Sequence, residues 1–150
     1  MILRNKTRQR GVTLLELMIV VTIVAIISAF AYPSYTQYVV NTKRTAATST
    51  LMQIADRQQQ FFMDNKSYTA DLTALGFASN PLYVSDDGNS VPAGDADAVY
   101  LFTLANVAPT TYTAIAAPLA QQLVRDTKCG TLTLNQAGAK DALAGGDDCW

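Results

Sequence analysis

Residues 10 to 26 read RGVTLLELMIVVTIVAI, an apolar run of membrane grade that holds one carboxylate, Glu16, just past Gly11. A charged side chain in hydrocarbon costs about 2.5–3.5 kcal/mol even on lenient insertion scales. A segment that keeps such a charge either tolerates it or uses it, and the residues around it separate the two cases.

From Val12 to Tyr32 the chain is apolar except for Glu16 and scattered Thr and Ser. As a helix it would span roughly 30 Å, one bilayer core. Its Val, Leu, Ile and Phe side chains each favour insertion by about 0.3–0.6 kcal/mol and together outweigh one glutamate. Upstream, Arg4, Lys6, Arg8 and Arg10 stand with no acid among them. Such a basic stretch stays on the cytoplasmic side, which sends everything after the span outward.

Three readings of this stretch compete. Ala29-Phe30-Ala31 resembles the small-x-small site of a cleaved signal peptide, but the apolar run exceeds the usual h-region of about 7–15 residues and contains a charge. A plain anchor with an accidental acid is the second. The third is cleavage ahead of the apolar run, after Gly11, with the anchor retained. It gives Glu16 a use. Val12 becomes a new N-terminus with a positive amine, and Glu16 becomes the fifth residue, on an early helical turn. A carboxylate there is favoured by the helix dipole. In apolar surroundings it needs a partner, and the terminal amine of a neighbouring subunit would be one.

The remaining composition narrows the function. The chain has 150 residues, 11 basic and 12 acidic, which suggests one anchored domain. Setting aside the four leading cations leaves seven against 12, a net charge of −5. Those seven are Lys43, Arg44, Arg57, Lys66, Arg125, Lys128 and Lys140. An acidic body argues against direct DNA binding, which needs a basic stripe. There is no histidine, which removes Ser-His-Asp and Cys-His catalysis and His-based metal sites. No cofactor is implied and no enzyme is expected. Cys129 and Cys149 are the only cysteines; outside the cytoplasm a disulfide closing a short loop is the default reading, ahead of a redox pair or half a metal site.

Downstream, Pro33 lacks an amide hydrogen and would kink or open a continuing helix. Ala47, Leu51, Ile54, Ala55, Gln58 and Phe62 then recur at helical spacing, so Val12 to about Met63 reads as one long helix whose second half is amphipathic. Phe61 and Phe62 read as core, and Gln58-Gln59-Gln60 as solvated positions. Thr69 to Gly76 suggests a short helix. Ser85 to Ser90 is a polar loop; its acids invite calcium but lack the EF-hand pattern. Three strand-like stretches follow, Val99 to Leu104, Thr111 to Ala117 and Thr131 to Leu134, with a weak fourth between Gly138 and Leu143. Short links favour an antiparallel sheet covered by the helix.

The basic leader, the run Gly11-Val12-Thr13-Leu14-Leu15-Glu16-Leu17-Met18-Ile19-Val20-Val21 and the later Pro33 together resemble the class III signal of type IV pilins and pseudopilins. The family most often has Phe where Val12 stands. YPSYTQYV, IADRQQQFFMDNKSYTADLTALG, CGTLTLNQAGAK and the closing CW are similar to PilE-type minor pilins of type IVa pili. The resemblance implies an α+β pilin fold, with a half-hydrophobic, half-amphipathic N-terminal helix packed on a C-terminal antiparallel sheet. Its expected parts are a leader at 1–11, a transmembrane and filament-core helix at 12–32, and a globular domain at 33–150 with a disulfide-closed loop.

The resemblance further implies that prepilin peptidase cuts after Gly11 and methylates the amine of Val12, and that Glu16 pairs with another subunit during assembly. Implied partners are major and minor pilins, the peptidase, an assembly platform with its ATPase, and inner-membrane lipid. The N-terminus would be cytoplasmic and the globular domain periplasmic, then displayed on a surface pilus serving twitching motility, adhesion or DNA uptake. A type II secretion pseudopilin and a DNA-binding competence pilin are the alternatives.

Overall fold

A computed structural model describes residues 12–150, so Gly11 and the basic leader lie outside the described residues. The chain forms two compact units, one running through Gln37 and the other from Tyr38 to Trp150.

One helix, α1 (Leu14–Asn65), contributes to both units. It is long and apolar enough by length and composition to cross a membrane. In the first unit its large side chains, from Leu14 to Phe30, are all at least half exposed. Thr22 turns its hydroxyl back to the carbonyl of Met18 at 2.8 Å, and Thr36 to that of Pro33 at 2.9 Å. Both hydroxyls are therefore satisfied without solvent. The helix runs on through Pro33.

In the second unit α1 buries Val40, Arg44, Ala47, Leu51, Ile54 and Gln58, spaced alternately four and three residues apart, which is one face of a 3.6-residue helix. That face joins a core with Leu72, Leu82, Val84, Phe102, Tyr112, Ala114, Ala116, Leu132 and Leu134. The sheet is six-stranded and antiparallel: β1 (Leu82–Ser85), β2 (Ser90–Val91), β3 (Ala98–Ala108), β4 (Thr111–Pro118), β5 (Leu132–Asn135) and β6 (Lys140–Ala142), in the order β2-β1-β3-β4-β5-β6. Strict alternation of burial along β4 puts Tyr112, Ala114, Ala116 and Pro118 on the core side. A short helix, α2 (Ala120–Arg125), fills the β4–β5 connection.

The α+β architecture matches expectation, with four differences. The acidic stretch expected to be a loop is a hairpin, β1–β2, closed by Asp86-Asp87-Gly88-Asn89. Helix α2 was not foreseen. Thr69 to Gly76 forms turns instead of a helix: the amide of Thr69 bonds the side chain of Gln58 at 3.2 Å, and the amides of Leu75 and Phe77 both return to the carbonyl of Leu72. The amides that a helix would use are instead taken by Gln58 and by turn carbonyls, and a short helix has little to set against its nucleation cost. Finally, Gln58 is wholly buried, not solvated. Its amide serves both backbone groups of Thr69, donating to the carbonyl at 2.7 Å and accepting from the N–H. Gln59 and Gln60 are exposed.

Candidate assembly site and surface

Glu16 sits in the first turn of α1, exposed, with Val12 71% exposed beside the helix start. The Thr13 hydroxyl accepts the backbone N–H of Glu16 at 3.2 Å, and the Leu17 amide bonds the Thr13 carbonyl at 3.1 Å. Thr13 is therefore the N-cap and Glu16 the third helical residue, the Thr-x-x-Glu spacing of a capping box. The sequence reading missed this, although TLLE spells it. Thr13 starts the helix, so the carboxylate is set at its positive end. Among the described residues Glu16 forms no ion pair.

The second unit holds a buried polar cluster. The Arg44 guanidinium grips Asp126 with two bonds, Nε to Oδ2 at 3.0 Å and Nη2 to Oδ1 at 2.5 Å. Gln122 Nε2 lies 3.1 Å from the Tyr100 hydroxyl, 3.2 Å from Asp126 Oδ2 and 3.2 Å from the Val40 carbonyl. Arg44 and Asp126 are almost fully sequestered, with side-chain exposures of 8% and 0%. Burial, first, and then the Asp126 charge push the Tyr100 hydroxyl up to about 12, against the partial offset of its bond from Gln122. The cluster ties the middle of α1 to the segment carrying α2. That segment enters through Ala120 at φ 45°, a left-handed conformation costly for a residue with a Cβ.

Withdrawing Asp126 changes the surface. Along α2 and the residues after it, Leu123, Val124, Arg125 and Lys128 are exposed, so the charges shown from 120 to 128 are cationic. The other body cations are largely engaged. Lys43 faces Asp86 at 3.8 Å, Arg57 bonds the Leu75 carbonyl and lies over the Phe77 ring, and Lys140 lies over the Trp150 ring at 5.3 Å.

In the C-terminal loop Cys129 and Cys149 form a disulfide across 20 residues. Trp150 is half-buried against the core and donates its indole N–H to the Asp141 carbonyl at 3.0 Å. Gly146 has no room for a Cβ, which would collide with the Lys128 backbone. Around β1–β2, the Asp87 carboxyl is held below its usual range, chiefly by the Ser85 hydroxyl. Among the described residues no group of three or more acids or cysteines is placed to hold a metal. A cleft of about 460 Å³ beside β2 is lined by Asn80, Pro81, Tyr83, Ser90 and Pro92 among others, with no carboxylate, amine or thiol.

Two family models match the chain. A model described as the prokaryotic N-terminal methylation motif matches residues 6–32. One described as the type IV minor pilin ComP, DNA uptake sequence receptor, matches residues 33–133. The chain is 36% identical over 75 residues to the type IV major pilin protein PilA of Myxococcus xanthus, covering 50% of this chain and 34% of that one. It is 40% identical over 74 residues to the type IV major fimbrial protein FimA of Dichelobacter nodosus, covering 49% and 43%. It thus spans a third to a half of the length of these relatives. A type IV pilin from Shewanella oneidensis superposes with a TM-score of 0.45 at 20% identity, over 71% of this chain and 92% of that one. With the minor-pilin model covering more than half of its residues, the chain belongs to the ComP family of type IV minor pilins.

Proposed function

We propose that this chain is a structural subunit of a type IV pilus whose chemistry is assembly. The carrying observation is Glu16 at the capped, exposed start of an apolar helix, the fifth residue after the expected cut. In this reading prepilin peptidase removes residues 1–11 and methylates Val12, while the apolar half of α1 holds the subunit in the inner membrane. Glu16 then pairs with the terminal amine of a neighbouring subunit, and Pro33 lets the helix bend as it packs. Other pilins, the assembly platform and its ATPase are the partners. Mass spectrometry of the purified mature protein tests this: the expected first residue is N-methylated Val12, and a first residue of Tyr32 overturns the reading. Glu16→Ala should insert into membranes normally yet be lost from sheared pili; equal recovery in pili would refute the pairing role.

A second reading, a DNA receptor displayed on that filament, is supported by the family match over residues 33–133 and by the exposed Arg125 and Lys128. The net acidic body weighs against it. A gel shift with duplex DNA at two salt concentrations decides: a salt-sensitive complex weakened by Arg125→Ala/Lys128→Ala supports reception, and no complex at low salt removes it.

A further inference from the structure

Between Glu16 and Lys43 the chain carries no charged residue. That interval, Leu17 to Thr42, is about 39 Å of helix, longer than a hydrocarbon core of about 30 Å. Charge alone therefore does not fix where α1 leaves the membrane; the span could slide by about two turns.

Another feature can fix it. Three of the chain's seven tyrosines, Tyr32, Tyr35 and Tyr38, fall within seven residues, and no tyrosine or tryptophan precedes them. They are 70%, 67% and 70% exposed. At intervals of three they lie along neighbouring positions of one side of the helix. Core packing explains none of them, since the buried stripe begins only at Val40. Tyrosine joins an apolar ring to a hydroxyl and concentrates at membrane–water boundaries, where one end is greasy and the other wet. The neighbouring Ser34, Thr36 and Gln37 are polar but uncharged, which suits the same depth.

We infer that Tyr32, Tyr35 and Tyr38 form an anchor at the outer bilayer interface, binding lipid headgroups and setting the register of the span. The inference rests on the membrane-anchor reading above and adds a depth to it. Tyr32 lies about 24 Å along the helix from Glu16. With the tyrosines at one boundary, Glu16 falls within about one turn of the other. The carboxylate is then held near the cytoplasmic headgroups, where a charge costs far less than at mid-bilayer.

The test uses the full-length protein in phosphatidylethanolamine–phosphatidylglycerol vesicles, with Trp150→Phe removing the native tryptophan. Single reporters Leu14→Trp, Ile23→Trp and Tyr35→Trp are read by quenching with lipids brominated near the headgroup or near the chain ends. Leu14 and Tyr35 reporters should be quenched several-fold better by headgroup-proximal bromine, and Ile23 by chain-end bromine. If the Ile23 reporter is unquenched by either lipid, the anchor reading fails and takes this inference with it. If Ile23 is deep but the Tyr35 reporter is unquenched or equally deep, the anchor stands and the tyrosine interface is wrong. Because tryptophan itself favours interfaces, a second arm combines Leu14→Trp with Tyr32→Leu, Tyr35→Leu and Tyr38→Leu. Losing the tyrosines should draw the following uncharged turns into hydrocarbon and push the Leu14 reporter out, abolishing most of its quenching. An unchanged pattern means that they do not set the register.

Discussion

Asp126 shows what a single side chain decides in this molecule. It is wholly buried and its charge is met by Arg44 and Gln122. Removing one member of a buried ion pair strands the other, so Asp126→Ala should destabilise the protein by about 3–5 kcal/mol, read by urea denaturation followed through Trp150 fluorescence. Replacing both partners with apolar residues of similar volume, Arg44→Met with Asp126→Leu, should recover most of that loss. The pair was illegible in the sequence because 82 residues separate its members and each alone looks like a surface charge. Gln58 hid likewise: its role exists only once Thr69 arrives beside it. The place of Glu16 at the start of the helix was legible because its context is local, one acid near the beginning of an apolar run. The Thr13 cap is written just as locally, in the T-x-x-E signature that ends at Glu16.

At the scale of elements, long periodic segments were readable and short ones were not. The helix declared itself through a stripe repeated from Val40 to Gln58, and β3 and β4 through runs rich in Val, Thr, Tyr, Ile and Leu set between turn-forming residues. Strand β2 has two residues and α2 six, too few to show a period. The disulfide is the element-level staple. It closes a 20-residue loop around β5 and β6, the far edge of the sheet. A loop of that size restricts the unfolded chain by about 3 kcal/mol in the entropy model. Cys129→Ser with Cys149→Ser should therefore lower unfolding stability by about that amount, read by the same urea transition. β6 should lose amide protection before β3 does, because β6 has a neighbour on one side only.

For the molecule as a whole, net charge misled where local placement matters. A body at −5 argues against polyanion binding, yet the fold pulls one acid inward and leaves a short cationic segment outside. The buried tyrosines give the whole domain a pH limit. Burial raises both Tyr100 and Tyr112 from 10.0 to about 12. A group whose folded pKa lies above its unfolded value stabilises fully below the unfolded value and loses that contribution as pH rises through the folded one. Stability should hold up to about pH 10 and fall between 10 and 12, and Tyr112→Phe should flatten that decline; thermal melts across this range would show it.

The bare first half of α1 has a thermodynamic consequence. Its leucines, isoleucines and valines are each at least half exposed, so in the proposed role they always require an apolar host. Lipid tails are as apolar as leucine, so trading acyl chains for neighbouring helices yields little hydrophobic free energy. In that role the net drive to polymerise would come from close packing and from the proposed pairing of Glu16, both small beside the cost of exposing this surface to water. A subunit built this way can cross between bilayer and fibre in either direction with modest work, while release into solution stays closed to it.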